Sequence, residues 1–253
     1  MDKKIVQEQF GANAAAYLTS RPHAKGASLE RLVSLLQPQP AWQVLDIATA
    51  AGHTAFALAP HVAHVWATDI TAEMLALAAQ QVEARNLSNV SVEYADAEAL
   101  PYADERFDLV TCRIAPHHFS DIGLFLREAA RVLRPGGQLA VVDNVVPVGP
   151  AGDYVNALEK LRDPSHGQCL SMAAWQTAIL AAGLAHEQAE ALDKAMVFEE
   201  WAARHSPLMR RFLHAMLTEV GGEAAAFLRA QPDGGRTLFY LREGIFIGRK
   251  PSP

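Results

Sequence analysis

The segment from Trp42 to Asp69 constrains this chain more than any other. It reads Trp-Gln-Val-Leu-Asp46-Ile-Ala48-Thr49-Ala50-Ala-Gly52, then a short helical run, then Val65-Trp-Ala-Thr-Asp69. Val44, Leu45 and Ile47 form an apolar run suited to a parallel strand buried on both faces. The strand ends in an acid, a loop of small residues turns into a helix, and a second strand ends in another acid about 20 residues on. That is the layout of an adenosine-binding α/β unit. The small side chains at 48–52 let backbone approach a ligand, and the helix starting near His53 presents its unpaired N–H groups there. Ionised Asp69 has two acceptor oxygens and no donor, which suits the two hydroxyls of a ribose. An ordinary strand–loop–helix with acids at its strand ends is the plain alternative reading of the segment alone.

Two further segments extend the pattern: Ala95-Asp96-Ala97-Glu98 through Asp108-Leu109-Val110, Arg113 and His117-His118-Phe119, and then Arg134-Pro135-Gly136-Gly137. Taken in order, these motifs resemble the class I S-adenosylmethionine-dependent methyltransferases, in particular the branch of the ubiquinone and menaquinone C-methyltransferases. The resemblance spans roughly residues 10 to 145. Nucleotide dehydrogenases also place an acid after the second strand. They usually carry Gly-x-Gly-x-x-Gly, whereas Asp46-x-Ala-x-Ala-x-Gly52 follows the methyltransferase spacing Asp-x-Gly-x-Gly-x-Gly. Ala48 and Ala50 depart from that pattern, and if the loop needs a positive φ at either position the Cβ costs about 1 kcal/mol.

Alternation of strand and helix predicts a doubly wound, mostly parallel α/β sheet. Strands are expected at 44–47, 64–68, 90–94, 109–113 and 138–143. Thr71 is expected to cap a helix carrying Met74, Leu75, Ala78 and Val82 on one face, and Asp121 one carrying Leu124, Phe125, Ala129, Val132 and Leu133 inward. Pro135-Gly136-Gly137 is expected to stop that second helix and turn the chain into the fifth strand. The resemblance implies seven strands, a terminal antiparallel hairpin (Leu184 to Leu192 with Thr237 to Gly248) and a helical cover around Pro207. We expect a single methyltransferase domain over 1–253: N-terminal lid or cap helices at 1–41, a cofactor-binding core at 42–145, and a substrate cover with the terminal strands at 146–253. Tyr17, Ser20 and His23 bring polar groups to the first of these parts, which is either a lid facing the ligand or a helix on one sheet edge.

Composition bounds the partners. A formal net charge of −6 offers no broad basic face, so nucleic acid is not the expected substrate. No apolar run reaches membrane-spanning length and the first residues lack a signal-peptide core, so a cytoplasmic protein is expected. Cys112 and Cys169 form no Cys-x-x-Cys pair, and His61-x-x-His64 and His117-His118 fall short of a metal-ligand set, so no metal is expected.

The resemblance implies S-adenosylmethionine as cofactor, with S-adenosylhomocysteine as product. It places Asp46, Ala48, Thr49, Ala50 and Gly52 at the methionine end, Asp69 and Ile70 at the ribose and adenine, and Asp96 and Ala97 at the adenine ring. Tyr17, Met74 and Arg113 are assigned to the same cofactor site. His117 and His118 are the candidate catalytic residues, since a neutral imidazole can take a proton from a phenol, hydroxyl or amine; packing beneath the loop is the alternative for His118. The expected activity is methyl transfer to a small-molecule acceptor, quinone-like, phenolic or another metabolite. A non-catalytic S-adenosylmethionine-binding or regulatory protein that keeps the fold is the other reading.

Overall fold

The computed structural model describes residues 3–19 and 26–252, the side chains of residues 12–19 excepted. Five parallel strands build the sheet: β1 (Gln43–Ile47), β2 (His64–Asp69), β3 (Val90–Tyr94), β4 (Phe107–Arg113) and β5 (Leu133–Asn144). They are joined by β6 (Ala185–Val197) and β8 (Arg236–Arg249), with β8 antiparallel to both β5 and β6, in the order β3-β2-β1-β4-β5-β8-β6. A three-residue strand, β7 (Gln231–Asp233), pairs off this path against β8. The order reverses at β1 and β4, so the carboxyl ends of these two strands open a crevice where ligands bind in such sheets.

Alternation along the strands fills both faces. Leu45, Ile47, Val110, Cys112, Leu139 and Val141 pack into one apolar cluster, while Val44, Val65, Ala67, Leu109, Ala140 and Val142 belong to the other. A third cluster, with Val155, Leu158, Leu213, Leu217 and Phe239, lies under the helices of the carboxyl-terminal half. Those helices are α6 (Pro150–Arg162), α7 (Met172–Ala181), α8 (Phe198–Trp201), α9 (Pro207–Thr218) and α10 (Gly222–Leu228). In chain order they follow α1 (Lys3–Thr19), α2 (Ala27–Leu36), α3 (His53–Leu58), α4 (Ala72–Ala84) and α5 (Ile122–Val132).

Local expectations hold with four adjustments. Asp121 caps α5 by accepting from the Leu124 amide at 2.9 Å, but Leu124 itself is 40% exposed and Leu126 takes the inward place. Thr71 stands at the cap position of α4 without capping it; the Thr71 amide instead donates to Asp69 Oδ1 at 2.9 Å, drawing that turn toward β2. The α5 helix stops at Val132, so Pro135-Gly136-Gly137 lies inside β5 rather than ahead of it. The hairpin partners β6 and β8 are separated by three helices, and the turn at Gly234 and Gly235 joins β7 to β8 instead.

Candidate active site

The loop after β1 turns on two alanines in the left-handed region, Ala48 at φ 52° and Ala50 at φ 47°. Each Cβ is held where glycine would be unstrained, at a cost of about 1 kcal/mol. Gly52 follows at φ 88°, and a Cβ there would fall 2.2 Å from the Phe56 ring. Asp46 buckles this loop from below. It is 1% exposed and accepts from the hydroxyls of Thr49 and Thr111, both at 2.6 Å. Burial pushes its pKa up to about 6, against the pull of those two hydroxyls. Asp69 closes the other side, taking the Ala50 amide on Oδ2 and the Thr71 amide on Oδ1, each at 2.9 Å. Burial raises its pKa as well.

Above these loops lies an open cavity of about 1010 Å³, the solvent at its mouth included. Of the residues expected to hold the cofactor, Asp46, Ala48, Thr49, Ala50, Asp69, Ile70, Asp96, Ala97 and Arg113 line it together. Gly52 and Met74 do not: Gly52 caps α3, and Met74 is buried on the inner face of α4. Tyr17 lies in α1, but its side chain is outside the described residues, as are Ser20 and His23. Arg113 is half-buried and reaches Thr54 with its Nε at 3.2 Å.

Several lining residues carry no motif and were not anticipated. Lys3 of α1 places Nζ 2.5 Å from Asp96 Oδ2 and 2.7 Å from Glu98. Gln7 donates to the Ile70 carbonyl at 2.8 Å, and Phe10 sets its edge against the His118 ring at 4.9 Å. The α1 helix therefore forms one wall of the cavity. Ile114, a β-branched residue at φ 55°, forms another part of the wall; such a conformation is uncommon outside sites that need it. Only the polar and aromatic spacing of the amino-terminal segment hinted at this wall. Lys3 and Ile114 left no local signal.

The two adjacent histidines part company on a short 3₁₀ turn, Pro116–His118. His118 lines the cavity, whereas His117 is absent from its lining. His117 Nδ1 meets Asp143 Oδ1 at 2.5 Å. Burial lowers the His117 pKa to about 4 and raises that of Asp143, so burial works against an ion pair at this contact. His118 Nδ1 lies 2.8 Å from the Ser165 carbonyl, and burial lowers its pKa to about 3. Both rings are neutral at physiological pH.

The lining tests what cofactor it suits. Each oxygen of Asp69 accepts one backbone amide, which leaves a lone pair on each for a pair of neighbouring hydroxyls. Four carboxylates line the cavity against two cations, Lys3 and Arg113. That balance favours a cationic sulfonium and disfavours the pyrophosphate of a dinucleotide.

Comparison with known proteins agrees. Residues 44–137 match the model of a methyltransferase domain family. YcgJ of Bacillus subtilis, an uncharacterized methyltransferase, is 36% identical over 196 residues, which cover 77% of this chain and 78% of YcgJ. The YcgJ crystal structure matches with a TM-score of 0.85 at 31% identity, over 89% of this chain and 99% of that one. The 27-O-demethylrifamycin SV methyltransferase of Amycolatopsis mediterranei is 34% identical over 171 residues, or 64% of this chain and 60% of the relative. A demethylmenaquinone methyltransferase of Deinococcus radiodurans is 42% identical over 104 residues, or 40% and 42%. The chain belongs to the class I S-adenosylmethionine-dependent methyltransferases. It is an enzyme, and S-adenosylmethionine is its methyl donor. No helix among the described residues is long and apolar enough to cross a membrane.

Proposed function

We propose that the enzyme methylates an uncharged small molecule through a hydroxyl or enol group, of quinone-like, phenolic or comparable chemistry, and that His118 faces the reacting oxygen or its conjugated carbon. The observation that carries this reading is the composition of the cavity around His118. Phe10, Ile114, Ala115 and Phe119 surround it with apolar surface. Lys3 is paired with Asp96 and Glu98, and Arg113 donates its Nε to Thr54. Beside His118 a carboxylate or phosphate on the acceptor would meet apolar walls rather than a charged partner. The rifamycin and menaquinone relatives act on acceptors of the kind proposed, which supports the choice of class.

S-adenosylmethionine, when bound, supplies an electrophilic methyl group on a sulfonium. Asp69 would hold the ribose, the loop at Ala48–Ala51 would carry the methionine end, and Asp96 would meet the adenine amine once Lys3 yields its oxygen. Phe10 and Phe119 exclude water and set the acceptor in line, a contribution that can reach several kcal/mol. His118 Nε2 accepts the hydrogen bond of the acceptor hydroxyl and draws its proton away as the new bond forms. With its pKa near 3 the ring is a weak base; it serves chiefly to orient the hydroxyl and keep its lone pair on the methyl side. The α1 helix, as part of the lid at 1–41, closes this space.

The test is turnover to S-adenosylhomocysteine across a panel of phenols, hydroquinones and enols set beside matched carboxylic acids and amines. Hydroxyl and enol acceptors alone should react, and His118→Ala should lower kcat about a hundredfold with them. Turnover of a carboxylate, or an undiminished kcat in His118→Ala, would sink the reading.

A further inference from the structure

The turn after α6 crosses 47 residues of sequence to reach His118. Asp163, Pro164 and Ser165 form it, and the two polar residues are buried beneath an exposed Pro164: Asp163 is 5% exposed and Ser165 0%. Asp163 Oδ1 accepts both the Ser165 amide at 2.9 Å and the Ser165 hydroxyl at 2.6 Å. Asp163 Oδ2 is held by Arg204 at 3.1 Å. The turn is also bound to the backbone of its neighbour, since the amides of Gly167 and Gln168 donate to the His117 carbonyl at 2.7 and 3.1 Å. A Cβ on Gly167 would sit 2.8 Å from that carbonyl oxygen, so only glycine allows this approach.

Two oxygens stand around His118 Nδ1, the Ser165 carbonyl at 2.8 Å and the Ser165 hydroxyl at 3.2 Å. A carbonyl can only accept. The hydroxyl could do either, but its single proton is already given to Asp163. Both oxygens therefore act as acceptors toward Nδ1, the proton must reside on that nitrogen, and the lone pair is left on Nε2. Had the hydroxyl been free to donate to Nδ1, the ring could carry its proton on Nε2 instead, and the group facing the cavity would change from acceptor to donor.

We propose that Asp163 and Ser165 are positioning residues for methyl transfer: the Ser165 carbonyl holds the His118 proton on Nδ1, and Asp163, by keeping the Ser165 hydroxyl proton, stops that hydroxyl from donating to Nδ1 and so leaves a bare Nε2 for the acceptor. The acceptors this selects are those with a proton to give, such as a phenol, alcohol or enol, over ethers and ketones of the same shape. This rests on the reading of His118 as facing the acceptor. The acidic side chain that sets the tautomer lies outside the 44–137 segment shared with the family model, so the carboxyl-terminal cover selects the chemistry of the pocket as well as its shape.

The experiment is nitrogen-15 NMR of the full chain labelled at histidine, in the presence of S-adenosylhomocysteine, with His118 assigned by its loss in His118→Ala. The parent protein should show a protonated-type shift at His118 Nδ1 and a lone-pair-type shift at Nε2. Ser165→Ala should keep that pattern, because the carbonyl remains. Asp163→Ala should shift His118 toward the Nε2–H form, since the released hydroxyl can now donate to Nδ1. The double variant Asp163→Ala/Ser165→Ala should restore Nδ1–H, which a mere collapse of the turn would not do. An Nε2–H ring in the parent overturns the proposal without any variant, and so does a full Nδ1–H population in a folded Asp163→Ala. These shifts are read without an acceptor, so they stand or fall independently of whether His118→Ala loses turnover.

Discussion

The amide of Ala50 donates to Asp69 Oδ2 across 2.9 Å, so the carboxylate that ends β2 also ties down the loop that follows β1. Ligand affinity and loop stability are linked through this one side chain. Asp69→Ala should weaken S-adenosylhomocysteine binding by about 1.5 to 3 kcal/mol, because it removes charge-assisted hydrogen bonds. The same change leaves the Ala50 amide without its acceptor, so stability should fall too, by about 1 to 3 kcal/mol. Titration calorimetry and urea unfolding read the two effects, and a variant that binds as tightly as the parent would put the ribose elsewhere.

Ala48 and Ala50 hold positive φ where a Cβ is strained. Replacing either with glycine relieves roughly 1 to 2 kcal/mol of strain and gives back about 0.5 to 1 in unfolded-chain entropy. The net expectation is a small gain in stability, with S-adenosylhomocysteine affinity unchanged or tighter. Ala48→Val should abolish binding, since a branched side chain there fills cavity space and worsens the strain. Parent-like binding by Ala48→Val would remove the loop from the site.

Three histidines near the site, His117, His118 and His166, have pKa values lowered to about 4, 3 and 3 from 6.5, chiefly by burial. Their lowered values mean the unfolded chain takes up protons first. Their stability contribution is present above pH 6.5 and is lost as pH falls through the window from 6.5 toward 4, by about 1.4 kcal/mol per pH unit each. Asp46 acts in the opposite sense: its pKa is raised to about 6 from 3.8, so its destabilising burial is relieved as pH drops below 6. Asp69, Asp143 and Glu159, also raised, add to that relief. Five histidines are lowered in all, His64 and His205 with these three, against four raised acids, so the loss outweighs the relief. Thermal melts should therefore show a lower midpoint at pH 5 than at pH 7.5, and a flat profile between those values would contradict the burial of these rings.

Removal of residues 1–26 should cost more in ligand binding than in fold. The core begins with Leu32 and Leu36 of α2, both buried beneath the sheet, while α1 supplies Lys3 and Phe10 to the cavity wall. Hydrogen exchange at residues 3–11 should slow when S-adenosylhomocysteine is added. Equal exchange with and without ligand, together with full affinity in the truncated chain, would reduce α1 to a surface helix.

The parts of this molecule that were legible in the sequence are those whose cause is local. β1 to β5 follow from short apolar runs, each ending where small or polar residues turn the chain. The apolar residues Phe239, Leu241, Ile245 and Ile247 mark β8 in the sequence, and all four are buried. Leu124 was misread because the buried face of α5 runs through Phe125, Leu126, Ala129 and Val132, and Leu124 stands about 100° outside it on the Phe125 side. The loop at Ala48 and Ala50 was legible as a departure from the glycine pattern, and its backbone keeps the positive φ that glycine would hold without strain. What could not be read was long-range. Nothing near His118 indicates that its proton is governed from Asp163 and Ser165, and nothing in Pro-His-His says which ring turns toward the cavity. The Lys3 contact with Asp96 joins residues 93 apart and likewise depends on tertiary placement.

One feature of the sheet bears on how the chain is made. β8 is the last strand in sequence, yet it lies between β5 and β6. During vectorial synthesis the first five strands emerge together, and the outer edge of β5 then waits, with its amides and carbonyls unpaired, until more than ninety later residues have followed. An open, apolar strand edge is a template for pairing with other chains. Production of this enzyme is therefore most exposed to aggregation late in translation, and substitutions in β8 that slow its insertion should lower soluble yield even where they leave the finished enzyme as active as before.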